Sequence, residues 1–453
     1  MAFNTMLAGL AAGKDSVKQP LAPHEGHFKA RAKRIIFLFM HGGPSHVDLF
    51  DPKPALAKYD GKEPPFQRTR VKFGKRGNLL KSPWSFRPTG KSGIPMSSLW
   101  QHLPKVADDL CMLHGLCDTN VAHGGACMKL FTGSESLIRP SMGSWVSYGL
   151  GTENQNLPSF ITICPTSLHG GVENFGSAFL PNIHQGVPLG TPGYPNTPAK
   201  DARFEFLKNE KLSRKQQRLL LDQLKRINQQ HQKQAGRNPQ LEARIQSFEM
   251  AFRMQTSVPE ITDVSDEPEH IHDLYGPESK NPGTFAANCL LARRLAEKGV
   301  KFIQLYHRGW DHHDDLPRNI RRQCADTDRA SAALVTDLKQ RGLLNDTLVI
   351  WGGEFGRTNY SQGELTNTNY GRDHHPKCFS IWMAGAGVKP GMTYGQTDEF
   401  GYNVIQDPVH IHDFQATLMH LLGIDHERLT FKFQGRRFRL TDVHGQVVRD
   451  ILA

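Results

Sequence analysis

The sequence predicts an α/β fold: a mostly parallel sheet with helices on both faces. Three observations predict it. The runs Ile35 to Phe39 and Leu348 to Trp351 are continuously apolar, as strands buried on both faces are. From Phe285 onward, helix-patterned and strand-patterned segments alternate, the order that covers a parallel sheet. Finally, His- and Asp-rich clusters follow these strands, where open α/β sheets place their ligands.

The elements follow in order. "RIIFLFMHGGPSHVDLF" gives a first strand and a loop holding His41, Gly42, Gly43, Ser45, His46, Asp48 and Asp51. Asp51 to about Gly93 is rich in Pro, Lys and Gly and reads as a surface excursion. Leu99, Leu103, Val106 and Leu110 have helical spacing, and a short strand from Cys111 to Leu116 follows. "NVAHGGACMKLFTGS" is a loop entering a helix that ends at Gly133, and "LPSFITICP" is another buried strand. From Asp201 to about Gln255 the alternation breaks. Two helices are expected there, with apolar positions Leu220, Leu224, Ile227 and Leu241, Ile245, Phe248, Phe252. The pair reads as a helical insertion away from the sheet, with its Lys/Arg-rich part a solvated face. "FAANCLLARRLAEKGV" (helix), "KFIQLY" (strand), "HRGWDHHDDLPRN" (loop) and "DTDRASAALVTDLKQRGLL" (helix) lead to "TLVIW". "HPKCFSIWMAGAGV" adds a strand, and Asp413 is expected to cap a last helix.

Composition bounds the function. A chain of 453 residues can bury a sizeable core in one large domain or two medium ones. Its 38% hydrophobic content with 42 Gly and 28 Pro fits a loop-rich globular protein, not a coiled coil or a disordered chain. No apolar run approaches the ~20 residues that span a bilayer. A net charge of +11 permits anionic partners without implying nucleic acid, which is not the expected partner. The seven cysteines are scattered, so isolated thiols are expected rather than a disulfide framework or zinc knuckle. Residues 1–33 form an N-terminal segment. Phe3 to Ala12 are small and apolar, like the second half of an export signal, but no charged stretch precedes them. Residues 34–453 read as one domain.

The chemistry clusters at four places: His41 with Asp48; Asp311, His312, His313, Asp314 and Asp315; Glu354; and Asp373, His374 and His375. Imidazoles and carboxylates are the ligand set of zinc and related divalent ions. Two such ions about 4 Å apart can hold a phosphate- or sulfate-like group. Glycines at these clusters let the backbone turn tightly beside a bound group.

These motifs resemble a known family. "TLVIWGGEFG" resembles the sulfatase strand that ends in an Asp-His-Gly or Asp-Asn-Gly metal-binding turn; Glu354 takes the Asp position, and Phe355 stands where a second ligand would. "KFIQLYHRGWDHHDD" is similar to the alkaline phosphatase strand and loop that bring an Asp and a later His to a metal, which implies Asp311 and His313. His374 resembles the late metal-binding His. "NVAHGGACMKLFTGS" resembles the sulfatase nucleophile helix. Aligned on Thr132-Gly133, it puts His123 at the nucleophile position, with Cys127 out of register and no Pro-Ser-Arg triplet. Formylglycine chemistry is therefore not expected, and His123 stands as nucleophile, metal ligand or general acid. From about Arg34 onward the chain most closely resembles the bacterial domain-of-unknown-function family fifteen-oh-one, within the alkaline phosphatase/sulfatase superfamily. The resemblance implies an alkaline-phosphatase-like sheet and twin-arginine export to the periplasm or beyond. It also implies a divalent metal site of one or two ions, zinc by preference, made by His41, Asp311, His313, Glu354 and His374, with Asp48 and Asp373 supporting.

Two functions compete, and behind them stands a third, binding of nucleic acid or an anionic glycan by the basic helices. The first is metal-dependent hydrolysis of a phosphate or sulfate ester, on a small-molecule or glycan substrate. The second is an exported metal-binding scaffold without turnover, favoured by the missing Ser, Thr or Cys nucleophile. An expected helix N-terminus at His123 would disfavour imidazolium and keep that ring neutral.

Overall fold

Every residue from Ile35 to Met40 is fully buried in the first strand, β1 (Arg34–His41). The structure, a computed structural model, describes residues 21–453 except 69–75, 201, 204–206, 208, 237 and 367–369. The segment 1–33 expected at the N-terminus thus falls largely outside the described residues. The strands that build the central sheet and flank the site are, besides β1, β2 (Leu110–Cys117), β3 (Phe160–Ile163), β4 (Val187–Leu189), β5 (Phe302–Arg308), β6 (Thr347–Gly352), β7 (Gly356–Gln362), β8 (Arg372–His375), β9 (Phe379–Ala384), β10 (Met392–Tyr394) and β11 (Val409–His410). The central sheet runs β10-β2-β9-β6-β1-β5-β3-β4, with β11 also paired to β2. Its pairs are parallel except those made by β9, which is antiparallel to both neighbours.

Alternation along β1 shows why both faces are covered. Ile36, Leu38 and Met40 join one core, and Ile35, Phe37 and Phe39 join the other. The first core takes helices α5 (Phe285–Glu297) and α6 (Leu316–Gln340). The second takes α1 (His123–Thr132), α2 (Met142–Leu150) and α7 (Ile411–Leu421). The fold is therefore α/β, mostly parallel, with helices on both faces.

Four local expectations change. The stretch with helical spacing at Leu99 to Leu110 is a 3-10 turn, Leu103–Asp109, and Leu110 opens β2. Its start is fixed from afar, by Asp328 of α6 accepting the N–H groups of Gln101, His102 and Leu103 at 2.6, 2.8 and 2.7 Å. Helix α6 begins at Leu316, earlier than its apolar pattern suggested, with Pro317 in its first turn. The cap of α7 is His410, not Asp413. Asp413 is the third helical residue and accepts the His410 N–H at 3.1 Å, completing a capping box. Part of the excursion after Asp51 is structured: Arg76–Leu79 pairs with β7, and Leu79 is buried.

The two helices of the 201–255 region are α3 (Arg214–Ala235) and α4 (Pro239–Thr262), the second running past Gln255. α3 is largely exposed, but α4 is not away from the core. Met250, Met254, Val258 and Ile261 join the same core as α5. Met254→Ala is expected to destabilise the protein by about 2–5 kcal/mol, read by urea unfolding. A change below about 0.5 kcal/mol, as at unconstrained surface sites, would return α4 to the periphery.

Candidate metal centre

β6, β1 and β5 lie side by side and parallel, so their carboxyl ends deliver Glu354, His41 and Asp311 to one place. Gly42 closes the floor between them. Its N–H lies 3.1 Å from both Glu354 oxygens, and its φ is +123°. A Cβ there would stand 2.4 Å from the Asp311 nitrogen, so only glycine permits this approach. Trp351 and Trp310 pack edge to face beneath, with ring centroids 5.6 Å apart. Helix α1 starts at His123, and the antiparallel pair β7–β8 sets His374 opposite Arg357.

Three imidazoles converge on one carboxylate. His313 Nε2 is 2.9 Å and His374 Nε2 3.2 Å from Asp311 Oδ1, and His123 Nε2 is 3.2 Å from Oδ2. The opposite nitrogen of each ring meets an oxygen. His123 Nδ1 is 2.6 Å from Glu354 Oε1, His374 Nδ1 is 2.7 Å from the Val121 carbonyl, and His313 Nδ1 contacts Gln362 Oε1. A carbonyl and a carboxylate only accept, so the Nδ1 atoms of His374 and His123 carry protons. In a neutral ring the Nε2 lone pair then faces the Asp311 carboxylate. The Nε2 of His123 is buried against the Asp311 carboxylate.

Arg357, fully buried, holds Asp311 in place. Its Nη2 is 2.5 Å from Asp311 Oδ1; its other donors reach the carbonyls of Gly43 at 2.9 Å and Arg372 at 3.2 Å, and that of Gly42. Burial would raise the Asp311 pKa, but Arg357 and the three imidazoles hold the carboxyl far below the usual range. Burial pulls His374 down to about 4 and His41 down to about 4, so both stay neutral. For His123, burial acts downward, yet hydrogen bonds to Asp311 and Glu354 outweigh it and push the ring up to about 9. This reverses the expectation of a neutral ring. Two carboxylates in contact dominate over the helix terminus.

A second group lies behind the first. His41, Cys127 and Glu354 place donor atoms within 4.8 Å of one another, all buried. Glu354 is held down to about 2: burial raises it, but the hydrogen bond from His123 and the positive charge of that ring prevail. Burial pushes the Cys127 thiol well up. His169, which the motif reading missed, bonds His41 through Nδ1 at 3.0 Å and stacks on His123 with centroids 4.6 Å apart. A signal was present: His-Gly-Gly occurs at His41, His123 and His169, and all three rings meet here. Arg357, also missed, follows Glu354 closely in "GGEFGRT".

The remaining expected ligands lie outside both groups. Asp48 is not set among the candidate donors. Both of its oxygens are taken by Arg372, at 2.8 and 3.1 Å, and Ser45 donates to it at 2.6 Å. Asp373 accepts the His374 backbone N–H at 2.8 Å and belongs to neither donor group. Asp48 does connect to the centre indirectly, because the Arg372 carbonyl takes a bond from Arg357.

The family described as "Protein of unknown function (DUF1501)" matches residues 32–452. The chain belongs to that family. It is the family named from the motifs. No curated protein matches this DUF1501 chain. Among solved structures it is similar to the lipoteichoic acid synthase LtaP from Listeria monocytogenes, at 9% identity and TM-score 0.36, covering 93% of this chain and 78% of that one. It is also similar to the PsFucS1 sulfatase from Pseudoalteromonas sp. at 12% and 0.36, covering 94% and 71%. A third is the phosphonate monoester hydrolase SpPMH from Silicibacter pomeroyi, at 10% and 0.31, covering 92% and 76%. At such identities and TM-scores, these likenesses say nothing of substrate or reaction. No helix among the described residues is long and apolar enough to cross a membrane.

Proposed function

We propose that this DUF1501 protein is a metal-dependent hydrolase of phosphate or sulfate esters, with a divalent ion held by His123, Asp311, His313 and His374. One observation carries the reading. Three Nε2 atoms are turned toward one carboxylate while their Nδ1 sides are satisfied by oxygen. Lone pairs facing a carboxylate repel it unless a cation lies between them. A proton on His123 answers this for one ring, not for three. The oxygen partners on Nδ1 are the usual outer support of metal-binding imidazoles. Three imidazoles and a carboxylate suit zinc. Glu354, expected as a ligand, serves better here as the carboxylate that orients His123.

A divalent ion here supplies Lewis acidity to an ester oxygen. Glu354 keeps the proton on His123 Nδ1 and so leaves Nε2 bare. Arg357 fixes Asp311 and balances its charge. We assign proton transfer at the leaving oxygen to His169, which is half-buried and hydrogen-bonded to neutral His41. His123, at the N-terminus of α1, is then a ligand rather than a nucleophile, and the buried thiol of Cys127 is too basic to be one. Substrates are small-molecule or glycan anionic esters, met in the periplasm or outside the cell. These last assignments rest on the superfamily resemblance of the motifs.

One feature favours the scaffold reading: the group offers four protein donors, the number that would fill a closed structural site. Metal analysis of the protein as purified, with turnover of aryl phosphate and aryl sulfate esters, separates the two. The hydrolase reading expects about one ion per chain and turnover that chelation removes and the metal restores. Bound metal without turnover would favour the scaffold, and a protein that holds no divalent ion would sink both.

A further inference from the structure

A cavity of about 390 Å³ opens at the carboxyl end of β5, between α5 and α6. Its lining joins His307 and Arg308 of β5 to Phe285 and Ala286 of α5, and to Ala325 and Asp326 of α6. The metal donors are not among its walls.

Arg308 is the unusual group. It is 8% exposed. Its hydrogen bonds go to the Tyr194 carbonyl at 3.2 Å and the Thr197 hydroxyl at 3.5 Å, both from Nη1. Among the described residues no carboxylate pairs with it, whereas the buried Arg293, Arg357 and Arg372 each have one. A buried guanidinium without a counter-ion is costly, and the cost is relieved by an anion that enters from outside. Gly193 shapes the seat. A Cβ there would lie 1.8 Å from Arg308 Nη1, so glycine lets the guanidinium lie against the backbone.

The neighbours fit an anion as well. His307 Nδ1 accepts the Trp310 indole N–H at 2.9 Å, which leaves the proton on Nε2, 3.9 Å from Asp326 Oδ2. Burial keeps His307 neutral, down at about 3, and raises the Asp326 carboxyl toward its neutral form. Arg322 and Arg329 add positive charge to the walls against Glu278 and Asp326. Phe285 and Ala286 supply an apolar side.

We infer that this cavity binds a small organic anion, an apolar or aromatic body whose carboxylate- or sulfonate-type oxyanion rests on Arg308. Arg308 precedes Asp311 by three residues, so their Cα atoms are within about 11 Å. If the hydrolase reading holds, the ligand is a part of the substrate that carries a second negative charge beside the reacting ester. The binding itself does not rest on that reading.

Calorimetric titration of the intact protein with benzenesulfonate tests this without requiring turnover. Benzenesulfonate should bind, and uncharged benzenesulfonamide should bind about tenfold or more weakly. Arg308→Gln should cost a similar factor, and Arg308→Lys less. Ala325→Trp, at an exposed wall position, should block entry while the melting temperature stays unchanged. The inference is overturned by absence of binding, by equal affinity for the sulfonamide, or by binding indifferent to both Arg308→Gln and Ala325→Trp. Asp311→Asn separates the two proposals: benzenesulfonate affinity lost with the metal would place the anion at the metal centre and overturn the cavity assignment.

Discussion

Asp311→Ala is expected to be among the most damaging single substitutions in the chain, for two separable reasons. The first is electrostatic and needs no metal. Arg357 is 0% exposed, and Asp311 is its carboxylate partner at 2.5 Å. Removing one member of a buried pair leaves an uncompensated charge, at a cost of about 3–5 kcal/mol. The carbonyls of Gly42, Gly43 and Arg372 still receive the guanidinium, which favours the lower end. The second reason is the loss of the carboxylate on which three imidazoles converge. Losing an outer partner of a metal ligand typically costs about 10–100-fold in affinity, and losing the ligand should exceed that. Urea unfolding of chelator-treated protein isolates the first effect, and metal content isolates the second. Asp311→Asn keeps the shape and offers an amide N–H to the imidazoles, but still leaves Arg357 unpaired. It should therefore lose most of the stability that Ala loses. Near-wild-type stability in both variants would show that Arg357 is balanced elsewhere; full metal content in both would remove Asp311 from the centre.

How much of this was legible beforehand follows from where each residue's partners lie. β1 and β6 were readable because burial on both faces leaves an unbroken apolar run, a strictly local signal. Glu354, Asp311 and His374 stood out because glycines and polar residues follow or flank such runs. Asp48 misled because its partner Arg372 lies 324 residues away, and a carboxylate beside a histidine looks alike whether it faces a metal or an arginine. Arg357 was overlooked for a related reason. Its role is set by the carbonyls of Gly42 and Gly43, more than 300 positions distant. The 3-10 turn at Leu103–Asp109 is likewise fixed by Asp328, a contact that spacing does not encode. His169 is the different case. Its partners are distant, but the recurrence of His-Gly-Gly is written in the chain and could have been used.

The charge on His123 should make metal affinity rise steeply with pH. In the metal-free protein the ring is pushed up from 6.5 to about 9, because its hydrogen bonds to Asp311 and Glu354 outweigh burial. A raised pKa means stability that is fully present below 6.5 and lost as pH climbs through about 9. Glu354 is depressed from 4.5 to about 2, so its contribution is present above 4.5 and lost as pH falls toward about 2. Chelator-treated protein should therefore be most stable between those limits, near pH 4.5 to 6.5. Metal binding asks the opposite of His123: Nε2 must be bare, so each ion bound below about pH 9 displaces a proton. Apparent affinity should gain about tenfold per pH unit from this ring alone, levelling off near pH 9. Glu354→Gln removes one of the two carboxylates that hold the proton and the group that orients the ring. It should lower affinity by about 10–100-fold at high pH and flatten the slope below pH 9. Competition with a chelator of known affinity, at several pH values from 6.5 to 9, reads both quantities. A wild-type affinity that does not change across that range would mean that His123 is not a ligand. A Glu354→Gln variant with the wild-type slope would mean that Glu354 does not govern the ring.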